Sequence, residues 1–172
     1  LGVLEEFRRK ADYFLIGGAA ANTLLHLRGM DVKDSVIDRD AVDQRKFRAV
    51  LGYKNLVLPT DYRFAERKIL DIGGHTIQSF VARIKKARTV IWSGPLGMIE
   101  REPYDFATKM IAEAVSRNRQ VFSIVGGGET VTFLKKHGLD RKINFVSTGG
   151  GAMLDFLAGK KLPGIEALKK SR

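Results

Sequence analysis

The sequence predicts an α/β fold, a three-layer, doubly wound parallel sheet with helices on both faces. Three observations predict it. Short apolar runs end repeatedly in glycine, the segments between them carry a helical stripe, and further glycines stand where helices should stop. In chain order, residues 13–16 run into Gly17 and Gly18, residues 89–92 into Gly94, residues 121–125 into Gly126, Gly127 and Gly128, and residues 143–146 into Gly149, Gly150 and Gly151. Each run reads as a strand ending in a tight loop. Residues 55–58, stopped by Pro59, and residues 68–72 add two further strands. Between the strands, Ile77, Phe80, Val81 and Ile84 fall at i, i+3, i+4 and i+7, and Met110, Ile111, Ala114 and Val115 repeat the stripe, so each helix buries one face. Gly29, Gly138 and Gly159 follow helical patterns, where a left-handed C-cap is wanted. No linker or low-complexity tract interrupts the 172 residues, and one domain is expected.

Composition narrows the function. With 44% hydrophobic and 28% charged residues the chain is globular, which excludes a disordered chain and a fibre. The absence of cysteine excludes disulfides, a thiol nucleophile and a Cys-built zinc site, and a reducing, cytoplasmic setting is expected. The most apolar window, residues 13–25, is interrupted by Gly17, Gly18 and Asn22 and is too short to span a bilayer, so no membrane partner is expected. The chain opens on Leu1, with Glu5, Glu6, Arg8 and Arg9 too early for a signal peptide, and reads as cut from something longer. Thirty Lys and Arg against nineteen Asp and Glu give a net charge of +11, which attracts something anionic. The cations come in short clusters without the interleaved aromatics of a single-strand platform, so a nucleic-acid partner is not the expectation.

In a sheet of this kind ligands bind beyond the carboxyl ends of the strands, where helix N-termini present free N–H groups. Backbone that must approach a phosphate closely cannot carry Cβ atoms, and three successive glycines after a strand, twice over, exceed what turning requires. The G-x-x-x-x-G-K-[ST] loop is absent. The dinucleotide fingerprint fails as well, because its last small residue would fall on Val131 or Leu154. No G-x-S-x-G or H-E-x-x-H occurs, and His26, His75 and His137 lack metal-ligand spacing, so they read as structural.

Five motifs in register remain: Ile16-Gly17-Gly18-Ala19-Ala20-Ala21-Asn22-Thr23, Leu70-Asp71-Ile72-Gly73, Trp92-Ser93-Gly94-Pro95-Leu96-Gly97, Ile124-Val125-Gly126-Gly127-Gly128-Glu129-Thr130 and Ser147-Thr148-Gly149-Gly150-Gly151-Ala152. Together they resemble the C-terminal, nucleotide-binding domain of phosphoglycerate kinase. The resemblance runs from Leu1 to the Leu162-Pro163-Gly164 near the C-terminus. It implies residues 1–172 as a nucleotide-binding lobe, expected to be monomeric, with ATP or ADP and Mg²⁺ as cofactors. It also implies phosphoryl transfer between ATP and the carboxylate of 3-phosphoglycerate, in an enzyme of two similar lobes joined by a hinge.

The resemblance carries specific residues with it. Gly17, Gly18, Ile69, Leu70, Pro95 and Met98 would line the adenine slot, with plain core packing as the other reading of the apolar ones. Glu100 would accept from the ribose hydroxyls, with a solvated loop charge as its other reading. Glu129 would support the metal-nucleotide complex as a hard oxygen ligand or would simply cap its helix, and Gly127, Gly128 and Thr130 would accompany it in binding the nucleotide at a helix N-terminus. Gly149 and Gly150, with Gly151, would offer amides to the transferring phosphoryl group.

Four departures stand out. Ser93 replaces the family's Asn, Ala19 a Gly and Glu129 an Asp, and the segment between Pro59 and Asp71 is short, all of which should loosen or crowd the nucleotide site. The family's phosphate-contacting lysine falls upstream of Leu1, with the N-terminal lobe that binds 3-phosphoglycerate, so the chain by itself is expected not to turn over. Two alternatives stay open: a non-catalytic nucleotide sensor or scaffold, and a basic nucleic-acid module.

Overall fold

The computed structural model describes residues 1–39 and 44–170. Its largest sheet is built from the runs that end in glycine. Strands β5 (Thr89–Ser93), β6 (Phe122–Gly126) and β7 (Phe145–Val146) form a parallel ladder in that order, with Trp92 opposite Val125, Ser93 opposite Gly126, and Ile124 opposite Phe145. Register between β6 and β7 is locked by a side-chain exchange. The Ser123 amide donates to Asn144 Oδ1 at 2.9 Å and the Asn144 amide returns a bond to Ser123 Oγ at 3.1 Å. A second parallel pair joins β1 (Phe14–Leu15) to β2 (Leu56–Val57).

Helices connect and cover these strands: α1 (Gly2–Glu6), α2 (Gly18–Leu27), α3 (Gln44–Val50), α4 (Gly74–Lys86), α5 (Phe106–Arg117), α6 (Gly128–Lys136), α7 (Gly150–Leu157) and α8 (Pro163–Lys170). The expected stripes face inward. Ile77, Phe80 and Ile84 of α4 meet Ile111, Ala114 and Val115 of α5 in one core with Ile72, Trp92, Leu96, Val125 and Leu134, while Val81 and Met110 pack at its margin. Phe80 is 1% exposed, and burial of such a side chain contributes about 1.5–3 kcal/mol. A smaller cluster of Phe14, Leu24, Val50 and Tyr53 lies around β1 and β2.

The helix ends are satisfied by specific groups. The Asp61 carboxylate accepts the His75 and Thr76 amides at 2.9 and 2.8 Å and so caps α4 from outside the helix. Burial opposes ionisation of Asp61, but these bonds and one from the Thr76 hydroxyl prevail and hold it below its ordinary value. At the other end of α4 the Asn118 side chain donates to the carbonyls of Ile84 and Ala87. Gly29, Gly138 and Gly159 have φ of 95°, 65° and 74°, the left-handed conformation their positions after α2, α6 and α7 require.

One strand departs from the parallel pattern. β4 (Lys68–Ile72) pairs antiparallel with β3 (Tyr62–Ala65), a strand the sequence reading does not contain, through the two-residue turn Glu66-Arg67. Hairpin turns of this length are ordinarily announced by Asn-Gly or Asp-Gly, and Glu-Arg announces nothing. No helix among the described residues is long and apolar enough to cross a membrane.

Candidate functional site

Because β5, β6 and β7 are parallel, their carboxyl ends lie together and bring three glycine loops to one place. Gly127 has φ of 91°, which few residues other than glycine adopt. A Cβ on Gly127 would stand 3.4 Å from Ser93 Oγ and 3.5 Å from the Gly94 amide. From the other side, a Cβ on Gly150 would fall 2.6 Å from the Gly127 nitrogen. The two loops therefore cross backbone to backbone.

This crossing sets the N-termini of α6 and α7 side by side. The first bond of α6 runs from the Val131 amide to Gly127 O at 3.0 Å, and that of α7 from the Met153 amide to Gly149 O at 2.8 Å. The amides of residues 128–130 and 150–152 thus precede both ladders. Gly128, Glu129, Gly149 and Gly151 are exposed, so an anion can reach them. Thr130 is fully buried, and its hydroxyl has no hydrogen-bond partner.

A second group of expected residues assembles around the loop after β5. The Gly18 amide donates to Leu96 O at 3.1 Å, and a Cβ on Gly18 would come within 3.0 Å of Pro95 O. The Met98 amide donates to Leu70 O at 2.8 Å. Gly17, Gly18, Leu70, Pro95 and Met98 are thereby brought together, with Met98 40% exposed. Ile69 is fixed beside them by its amide bond to Ser35 Oγ at 2.8 Å. Glu100 is exposed on the same loop, two residues past Met98.

Sequence reasoning assigned no role to Asp71, which is 1% exposed beneath this loop. Its carboxylate accepts the Ile72 amide at 2.9 Å and the Ala107 amide at the start of α5 at 3.0 Å. Burial pushes its pKa up to about 6 against the opposing effect of those two bonds. A carboxylate inside an apolar strand run was the signal that could have found it.

Among the described residues no three His, Asp or Glu gather into a cluster. The single exposed carboxylate of Glu129, in the first turn of α6, suits Mg²⁺, which keeps several waters and is commonly held by one or two carboxylates plus substrate phosphates. Two surface grooves, one lined by Arg8, Arg9 and Tyr53 and the other by Lys85, Glu113 and Arg117, lie away from the glycine loops.

Known proteins match this arrangement in sequence and in shape. The family model described as phosphoglycerate kinase matches residues 1–160. The phosphoglycerate kinase of Chloroflexus aurantiacus is 39% identical over 193 aligned positions, covering 98% of this chain and 48% of that protein. That of Akkermansia muciniphila is 40% identical over 192 positions, covering 96% and 47%. The solved structure of phosphoglycerate kinase from Coxiella burnetii superposes with a TM-score of 0.85 at 32% identity, over 99% of this chain and 49% of that one. The Pyrococcus horikoshii enzyme superposes with a TM-score of 0.83 at 30% identity, over 98% and 48%. The chain spans about half the length of the curated relatives it matches. With a family model matching residues 1–160 of its 172, the chain belongs to the phosphoglycerate kinase family.

Proposed function

We propose that these residues form the nucleotide-binding half of a phosphoglycerate kinase and hold MgATP or MgADP across the crossed glycine loops. The observation that carries this reading is the close approach of Gly150 to Gly127, which sets the N-termini of α6 and α7 beside each other with Gly128, Glu129, Gly149 and Gly151 exposed. In this reading the amides of Gly128 and Thr130 and the Thr130 hydroxyl bind the nucleotide's phosphates. The amides of Gly149, Gly150 and Gly151 face the transferring phosphoryl group and stabilise its charge without reorganising. Gly17, Gly18, Ile69, Leu70, Pro95 and Met98 seat the adenine, and Glu100 accepts from the ribose. Glu129 holds the water shell of Mg²⁺, which when bound neutralises phosphate charge. The reaction is phosphoryl transfer between ATP and 3-phosphoglycerate, and the acceptor is bound by the half of the relatives' length that this chain does not cover.

The test is calorimetry of the chain with MgADP, MgATP and NAD. A clear preference for the mononucleotides is expected, and equal or absent binding of all three would overturn the reading. No transfer to 3-phosphoglycerate above background is expected from these residues alone.

A further inference from the structure

The hairpin tip is strained in a way its sequence does not explain. In the turn between Ala65 and Lys68, Glu66 has φ of 49° and Arg67 of 61°. Two successive left-handed residues make a type I′ turn, whose favoured sequence is Asn-Gly, and side chains beyond Cβ make that conformation unfavourable. Strain of this sort persists only where the surroundings impose it. Here each turn residue is tied to a different neighbour. Arg101 donates to the Glu66 carboxylate at 2.7 Å, and this bond and charge hold Glu66 below its ordinary pKa. Arg67 Nε donates to Asp34 Oδ2 at 3.0 Å, while Arg67 O accepts the Asp34 amide at 3.0 Å.

Those neighbours belong to the two segments bonded to Ile69 and Leu70. Arg101 follows Glu100 on the loop that carries Pro95 and Met98, and Asp34 precedes Ser35, which binds the Ile69 amide. The hairpin grips the same loop farther along, through the Arg63 guanidinium, which donates to Pro103 O at 3.2 Å and lies 4.9 Å from the Phe106 ring centroid.

We propose that Glu66 and Arg67 are positioning residues, which clamp the loop after β5 and the arm around Asp34 to the hairpin and so set the spacing of Leu70, Met98 and Glu100 for a nucleobase and its ribose. The inference rests on the nucleotide reading above. It assigns to a two-residue turn the walling of the base in a chain whose 59–71 segment is short.

The experiment separates positioning from folding. The double substitution Glu66→Asn/Arg67→Gly installs the preferred turn sequence and deletes both ion pairs. Its melting temperature should equal or exceed that of the wild type, while its affinity for MgADP falls roughly three- to tenfold, the range two exposed pairs can supply. Arg101→Glu should lower affinity, and Glu66→Arg combined with Arg101→Glu should restore it. If the wild type binds MgADP and the turn variant binds equally well, the positioning inference alone fails. It fails likewise if affinity and melting temperature fall together, or if the reversed pair does not restore binding. Failure of the wild type to bind MgADP brings down the nucleotide reading, and this inference with it.

Discussion

Gly150 stands over Gly127 so closely that a methyl group on the first would lie 2.6 Å from the backbone nitrogen of the second. Neither partner is a flexible side-chain end, so relief requires one loop to move. Gly150→Ala should therefore destabilise the chain by about 1–3 kcal/mol. The neighbouring Gly151 has nothing within 4 Å of a Cβ and lies inside α7, where alanine limits the unfolded chain. Gly151→Ala should raise stability by up to about 1 kcal/mol. Urea denaturation of the two variants measures the contrast, and equal effects would show that the crossing is not rigid.

Thr130 presents a different test, because its buried hydroxyl has no partner. Removing an unsatisfied polar group while keeping shape is neutral or stabilising, so Thr130→Val should leave unliganded stability unchanged or raise it by about 1 kcal/mol. If the hydroxyl is reserved for a phosphate oxygen, the same change should weaken nucleotide binding about tenfold, the loss of one bond to a charged group. Calorimetry and thermal melts on one preparation read both effects.

What could be read from the sequence was whatever is local and periodic. The stripe of Ile77, Phe80 and Ile84 and the glycines after β6 and β7 announce themselves, because burial recurs with the helical period and close backbone approach demands glycine. Interactions between distant segments leave no such trace. The bond from Ile69 to Ser35, the cap that Asn118 places on α4 and the pairing of Glu66 with Arg101 join residues more than thirty positions apart. The β3–β4 hairpin escapes for a related reason, since tertiary ion pairs rather than turn chemistry accompany its Glu-Arg turn.

Asp71 makes the stability of the chain depend on pH. Burial raises its folded pKa to about 6, whereas the unfolded chain releases the proton near 3.8. Between those values the folded state binds more protons, so stability falls as pH rises through the window and levels off above it. The loss amounts to about 3 kcal/mol. Asp71→Asn carries no charge and should flatten this slope. Its single oxygen can serve only one of the Ile72 and Ala107 amides, so the variant should be less stable than the wild type near pH 4, by about 1–3 kcal/mol. The deficit should shrink above pH 6. Urea midpoints from pH 4 to 8 measure this, and parallel profiles would show that Asp71 does not titrate in the window.

Substitution of Glu129 tests whether the glycine site handles a metal nucleotide. The residue capping α6 is Gly127, which offers no side chain, and Glu129 is exposed and makes no bond to a backbone amide among the described residues. A hydrogen-bonded cap is therefore not its role in this structure, and as a structural residue it contributes only a charge near the helix dipole. That is worth about 0.3–1 kcal/mol and falls with salt. A carboxylate acting on Mg²⁺ predicts a different pattern. Glu129→Gln keeps volume and hydrogen-bonding capacity while removing the charge, so it should weaken MgADP more than metal-free ADP. Glu129→Asp keeps the charge and shortens its reach, so it should retain the preference for the metal complex. Calorimetry of the three proteins with and without Mg²⁺ separates the roles. A common metal dependence, with differences confined to melting temperature, would leave Glu129 as a dipole charge and place the metal's water shell elsewhere.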